Sequence, residues 1–181
     1  ATAATDQLDK DLEPVTLQLK WLHQFQFAGY YAALEQGFYA LEGSFWQEQH
    51  QVETFHDATG TYHKVLKEAL PENIHINHFI IDEQDFVGRI TTIDENTVTL
   101  IDLPKEQLLQ QQAWGLKPRD IIQALALNLL LDPNIHIVSL TGQAGSGKTI
   151  LALAAAIEMT VAQQQFKRII ATRSTRGLDE D

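Results

Sequence analysis

The sequence predicts an α/β chain. Its C-terminal part runs strand, glycine loop, helix, strand, and is preceded by a small antiparallel β meander and an N-terminal strand–helix segment. Three observations carry this reading. Gly142-Gln143-Ala144-Gly145-Ser146-Gly147-Lys148-Thr149 fits the pattern G-x-x-x-x-G-K-[ST]. An apolar run, Ile135 to Leu140, stands before it, and an alanine-rich helix former, Ile150 to Met159, stands after it. Three segments rich in Ile, Val, Thr or Phe lie between Ile74 and Leu103, separated by acidic turns. The first two observations together describe a partial P-loop NTPase, strand–P-loop–helix–strand.

The glycine loop points to phosphate chemistry for a physical reason. Glycines admit φ values that other residues resist, so several N–H groups can face one phosphate. Lys148 adds a mobile positive charge for the β- and γ-phosphates. The Thr149 hydroxyl is placed to ligate Mg²⁺, and the N-terminus of the following helix adds partial positive charge. Gly142, Gln143, Ala144, Gly145, Ser146, Gly147, Lys148 and Thr149 are therefore the candidate ATP-binding residues, with Thr149 the candidate metal ligand.

Taken in order, residues 1–13 read as a loose polar terminus. Val15, Leu17, Leu19 and Trp21 alternate with polar residues, as in a strand with one buried face. Ala28 to Gln36 reads as a helix with Gly37 at its C-terminal cap position. Phe45 to His56 has no clear period. His50, His56 and His63 are spaced by six and seven residues, which does not put metal ligands on one helix face. Thr61 to Leu70 reads as a short helix closed by Pro71. The meander then runs Ile74–Asp82, Phe86–Ile93 and Thr97–Leu103, with Gly88 as a candidate bulge.

Lys105 to Gln112 reads as a polar helix or linker, and Trp114 to Asp120 as a turn. Ile121 to Leu131 is an amphipathic helix with Ile121, Ile122, Leu125, Leu129 and Leu130 as its apolar stripe. Asp132-Pro133-Asn134 stops it. Gln163 to Gln165 closes the helix after the loop. Lys167 to Thr172 reads as a second buried strand, which a right-handed crossover would pair in parallel with Ile135–Leu140.

Composition narrows the classes. The chain has 181 residues with 24 acidic against 13 basic, a formal net charge of −11. That balance disfavours non-specific attraction to nucleic acid or an anionic membrane. Lys167, Arg168, Arg173 and Arg176 nevertheless make a local basic cluster. There are no cysteines, so disulfides, thiolate metal sites and a Cys nucleophile are excluded. No apolar run reaches the length of a membrane-spanning helix. The chain begins with Ala1 and has a single methionine, Met159, which suggests a processed product or a fragment.

Two resemblances follow from particular residues. Val15-Thr16-Leu17-Gln18-Leu19-Lys20-Trp21 through Ala33, followed by Gly37-Phe38-Tyr39, resembles the opening of periplasmic solute-binding proteins that take thiamine pyrimidine precursors. That likeness implies Trp21, Phe25 and Tyr30 facing a ligand cleft; the same aromatics also suit a plain core. Trp114-Gly115-Leu116-Lys117-Pro118-Arg119, Gln123-Ala124-Leu125, Asp132-Pro133, the glycine loop and Thr172-Arg173 resemble the PhoH-like ATPase family, with Ser174 where that family usually has Pro. This second likeness implies MgATP binding, hydrolysis in the intact family, an RNA partner, and Gln123 as the reader of the adenine edge. Gln123 also suits an exposed helix position, though its amide can both donate and accept.

The expected organisation is residues 1–43 as the receptor-like segment, 44–112 as a β-rich linker region, and 113–181 as the N-terminal part of a P-loop ATPase domain. The acidic residue and the water-orienting residue needed for hydrolysis normally lie on strands after the loop, and residues 150–181 offer no such strand. The expectation is therefore ATP binding with hydrolysis in doubt, in a cytoplasmic setting. The alternatives are a periplasmic solute-binding module and an inactive fusion fragment.

Overall fold

The computed structural model describes residues 15–19, 38–41, 45–46 and 51–173. The expected helix at 28–36, the aromatic residues Trp21, Phe25 and Tyr30, His50 and the tail after Arg173 lie outside the described residues. The chain divides into two compact units, one of Ala1–Gln26 with Gln111–Asp181, the other Phe27–Gln110.

The unit Phe27–Gln110 is built on a six-stranded sheet. Its strands are β2 (Phe38–Leu41), β3 (Gln51–His56), β4 (Thr61–Leu66), β5 (Phe79–Asp82), β6 (Val87–Ile93) and β7 (Thr97–Asp102), in the order β2-β5-β6-β7-β4-β3. β2 runs parallel to β5, and every other neighbouring pair is antiparallel. The meander expected between Ile74 and Leu103 is thus present as β5, β6 and β7. Val65, Ile80, Ile90, Val98 and Leu100 are wholly buried and form its core with Phe45, Leu70, Ile74 and Phe86.

Two expectations change here. Thr61–Leu66 is a strand, followed by a single 3₁₀ turn at Lys67–Ala69, rather than a helix. The reason is tertiary: Thr, Tyr and Val fit a pleated surface, and β4 is hydrogen-bonded between β3 and β7 with Val65 in the core. The irregularity in β6 lies between Ile90 and Thr92, not at Gly88. Gly88 instead serves close approach, because a Cβ there would stand 2.8 Å from Phe86 Cζ.

Among the described residues Asp82 is the one charged residue that is buried, at 6% exposure. Its carboxylate accepts three backbone N–H groups at 2.8 Å each, from Phe45, Gln84 and Phe86. A charge this far from water is stable only when hydrogen-bonded in this way. Helix α1 (Lys105–Gln110) closes the unit with Leu108 buried.

The other unit contains α2 (Ile121–Leu130), α3 (Lys148–Ile157), and the strands β1 (Val15–Leu19) and β8 (Ile169–Arg173). Ala113, Leu127, Leu151, Ala154 and Ala155 form its core. In α2 the buried residues are Ala124, Leu125 and Leu127, while Ile122 faces out. The buried face therefore includes the small residue Ala124, and Leu127 packs with Leu151, Ala154 and Ala155 of α3. The helix after the loop is α-helical to Ile157 and finishes in one π turn, Glu158–Ala162, with the Gln163 N–H reaching the Glu158 carbonyl at 2.9 Å.

The strand arrangement differs from the expectation. β8 pairs in parallel with β1, from Val15 opposite Ile169 to Leu19 opposite Arg173. Ile135–Leu140 forms no strand, and Ile137 is 88% exposed. An apolar run becomes a strand only where a neighbour supplies a ladder, and the described strand beside β8 is β1. β8 is accordingly half-buried at Ile169 and Ile170 and exposed at Ala171 and Thr172, not fully buried.

Candidate functional site

The glycine loop lies between Ile135–Leu140 and α3. Three glycines carry positive φ, Gly142 at 136°, Gly145 at 80° and Gly147 at 86°. Side chains with a Cβ rarely adopt these values, so the pattern of the motif is the pattern of the bends. Gly147 is the N-cap of α3 and offers no side-chain cap, which leaves the first-turn N–H groups without a side-chain acceptor from that residue. Helix α3 then begins at Lys148, and Leu151 donates its N–H to the Gly147 carbonyl at 3.0 Å.

Lys148 folds back over the loop. Its Nζ donates to the Gly142 carbonyl and to Ser146 Oγ, both at 2.9 Å, and also to the Gln143 carbonyl. An ammonium with three donors is thus held among neutral oxygens, with no carboxylate among these partners. A phosphate oxygen is a stronger acceptor for such a group than any of the three. Thr149 is half-buried in the first turn of α3.

Gln123 reaches the loop from α2. Asp120 caps that helix, its Oδ1 accepting from Gln123 N at 2.9 Å. The Gln123 side chain answers on both ends: Oε1 accepts from Arg119 N at 3.0 Å, and Nε2 donates to the Ser146 carbonyl at 3.0 Å. The capping pattern Asp120-x-x-Gln123 signals the contacts of Gln123 at the start of α2, but not its bond to Ser146.

Trp114, expected in a turn and in the PhoH-like segment, has a more specific place. It and Gly115 are the central residues of a tight hairpin, at φ 48° and 76°, closed by mutual hydrogen bonds between Ala113 and Leu116 at 3.0 and 2.8 Å. Positive φ at both positions is the type I′ pattern, unusual for Trp. Glu158 Oε2 accepts from Trp114 N at 2.9 Å and so ties this turn to the end of α3.

His56 and His63 belong to the sheet. His56 Nδ1 lies 2.9 Å from Thr61 Oγ1, and His63 Nδ1 lies 3.0 Å from Thr54 Oγ1. Among the described residues no group of three or more His, Asp or Glu side chains is arranged to hold a metal ion. No helix among them is long and apolar enough to cross a membrane.

Residues 115–181 match the family described as PhoH-like protein. The family match and three relatives together support a PhoH-like assignment for this part of the chain. The chain is 32% identical over 105 residues to Protein PhoH2 of Bacillus subtilis, covering 58% of this chain and 24% of that protein. It is 44% identical over 87 residues to Protein PhoH2 of Thermobispora bispora, covering 48% and 18%. Against Protein PhoH2 of Mycolicibacterium smegmatis it is 39% identical over 71 residues, covering 38% and 16%. The chain thus spans no more than about a quarter of the length of these PhoH-like relatives. None of these matches supports the resemblance of the first 43 residues to solute-binding proteins, and no solved structure matches the chain.

Proposed function

We propose that the chain binds MgATP through Gly142–Thr149, as the N-terminal portion of a PhoH-like P-loop ATPase domain covering residues 113–181. The observation that carries this reading is the loop itself: three positive-φ glycines lead into α3, with the Lys148 ammonium lodged among the Gly142 and Gln143 carbonyls and the Ser146 hydroxyl. Such a cradle suits a polyphosphate, since backbone N–H groups, a mobile cation and a helix N-terminus converge on one place. Lys148 would release its three oxygens and turn to the β- and γ-phosphates. The Thr149 hydroxyl would supply one ligand to Mg²⁺, whose charge offsets that of the phosphates. Gln123 keeps one N–H and one lone pair after its two hydrogen bonds, enough to meet the donor and acceptor of an adenine edge.

Binding is separable from turnover. In this unit the described carboxylates are engaged elsewhere: Asp120 caps α2, Asp132 sits in the turn that follows α2, and Glu158 holds the Trp114 turn. None of them lies in the loop or the first turn of α3. We therefore expect phosphate release from ATP well below about 1 per second, the low end of ordinary enzyme rates. Release at or above that rate would contradict this expectation. An RNA partner and a cytoplasmic setting come from the family likeness and stand as further proposals.

The test of binding is a titration with a fluorescent ATP analogue in Mg²⁺, comparing the parent with Lys148→Ala. We expect at least about a tenfold loss of affinity, since a charge-assisted contact contributes about 1.5–3 kcal/mol. Equal affinity in the two proteins would sink the reading.

A further inference from the structure

One amide ties α2 to the glycine loop, and the loop residue it holds is shared. Ser146 accepts from Gln123 Nε2 through its carbonyl and from Lys148 Nζ through its hydroxyl, and its N–H donates to the Gln143 carbonyl at 3.3 Å. The Ser146 carbonyl and the Gly147 N–H belong to one planar trans peptide, so fixing the carbonyl fixes the direction of that N–H. Gly147, at φ 86°, has no Cβ to resist rotation of this peptide. Gln123 is packed directly against it: a Cβ on Gly147 would lie 3.0 Å from Nε2.

We infer that Gln123 is a positioning residue for the phosphate loop, holding the Ser146–Gly147 peptide in one orientation, in addition to any contact with a base. The inference rests on the loop being a polyphosphate site. It differs from base reading in a measurable way. A residue that only reads adenine is irrelevant to a ligand without a base. A residue that sets the loop affects every polyphosphate equally.

The experiment is calorimetric titration of the full chain with Mg²⁺-tripolyphosphate and with MgATP, for the parent, Gln123→Ala and Gln123→Glu. Circular-dichroism melting establishes that each variant is folded. Gln123→Ala is expected to weaken both ligands by a similar factor, about three- to tenfold, the range of one neutral hydrogen bond. Gln123→Glu keeps the acceptor toward Arg119 N and loses the donor toward the Ser146 carbonyl. It therefore spares the start of α2, stays informative should the alanine variant fail to fold, and is expected to weaken tripolyphosphate too. That loss should persist in about 0.5 M salt, where charge repulsion is largely screened. Unchanged tripolyphosphate affinity in Gln123→Ala or Gln123→Glu, with ATP affinity reduced or not, overturns the inference and leaves the nucleotide reading standing. A parent that binds neither ligand overturns both.

Discussion

Asp82 is the residue whose loss should cost the β unit most for its size. Removing its carboxylate leaves three buried or half-buried N–H groups, of Phe45, Gln84 and Phe86, without their acceptor. Asp82→Ala is expected to destabilise by about 2–4 kcal/mol in urea unfolding, since hydrogen bonds to a charged group are worth more than neutral ones. Gly88 offers a contrast with Gly115. A methyl on Gly88 meets the Phe86 ring, whereas one on Gly115 meets nothing within 4 Å and suffers only from its φ of 76°. Gly88→Ala should cost about 1–3 kcal/mol by overpacking, and Gly115→Ala about 1–2 kcal/mol by backbone strain alone. A second substitution separates them: Phe86→Leu should recover part of the Gly88→Ala loss and none of the Gly115→Ala loss. Recovery of neither would mean that the Phe86 contact is not the cause. At this scale the candidate site was the most legible part of the chain. A P-loop is written in contiguous residues, and its three positive-φ positions are all glycines of the motif. The Gln123–Ser146 bond spans 23 residues of chain and has no local pattern to announce it.

Elements were legible where their partners lie nearby in sequence. β5, β6 and β7 follow one another through short acidic turns, and the alternation of Ile, Val and Thr with polar residues shows their buried faces. β3 was not legible, because Val52 and Phe55 stay exposed on an edge strand and leave no buried period to read. β4 reads as a helix for a related reason: one partner is the edge strand β3, which has no buried period, and the other, β7, lies more than 30 residues downstream. The segment that precedes β5 carries a pH dependence. His78 Nδ1 accepts from His75 N at 3.2 Å, so the ring is held neutral at that nitrogen. Burial, and then the charge of neighbouring His75, push His78 below its usual value of 6.5. The unfolded chain therefore binds this proton more readily than the folded one, and stability is lost as pH falls through about the unfolded value. The parent should lose stability as pH falls from 7.5 to 5.5, and His78→Gln should show a smaller difference between those two pH values. An equal pH dependence in both would remove His78 as the cause. In the other unit, α2 depends on its cap, and Asp120→Ala should cost about 1 kcal/mol in the same assay.

At the scale of the molecule, the α/β class was legible and the pairing of the C-terminal strands was not. Ile135–Leu140 has the composition of a strand, yet a strand's hydrogen bonds are supplied by another segment, and β1 takes the place beside β8. Nothing within Ile135–Leu140 or Ile169–Arg173 could have signalled that choice. What does not depend on the sheet is the short assembly of α2, the glycine loop and α3, joined by Gln123, Ser146 and Lys148. The functional reading stands on that assembly. The most direct measurement is the thermal unfolding of the full chain with increasing MgATP, beside a parallel series with a thiamine pyrimidine precursor. Saturating MgATP at about 100 times its dissociation constant should stabilise the folded chain by about 2.7 kcal/mol. We expect a concentration-dependent rise in melting temperature with MgATP, which Lys148→Ala moves to at least about tenfold higher MgATP. A rise with the pyrimidine and none with MgATP would contradict it.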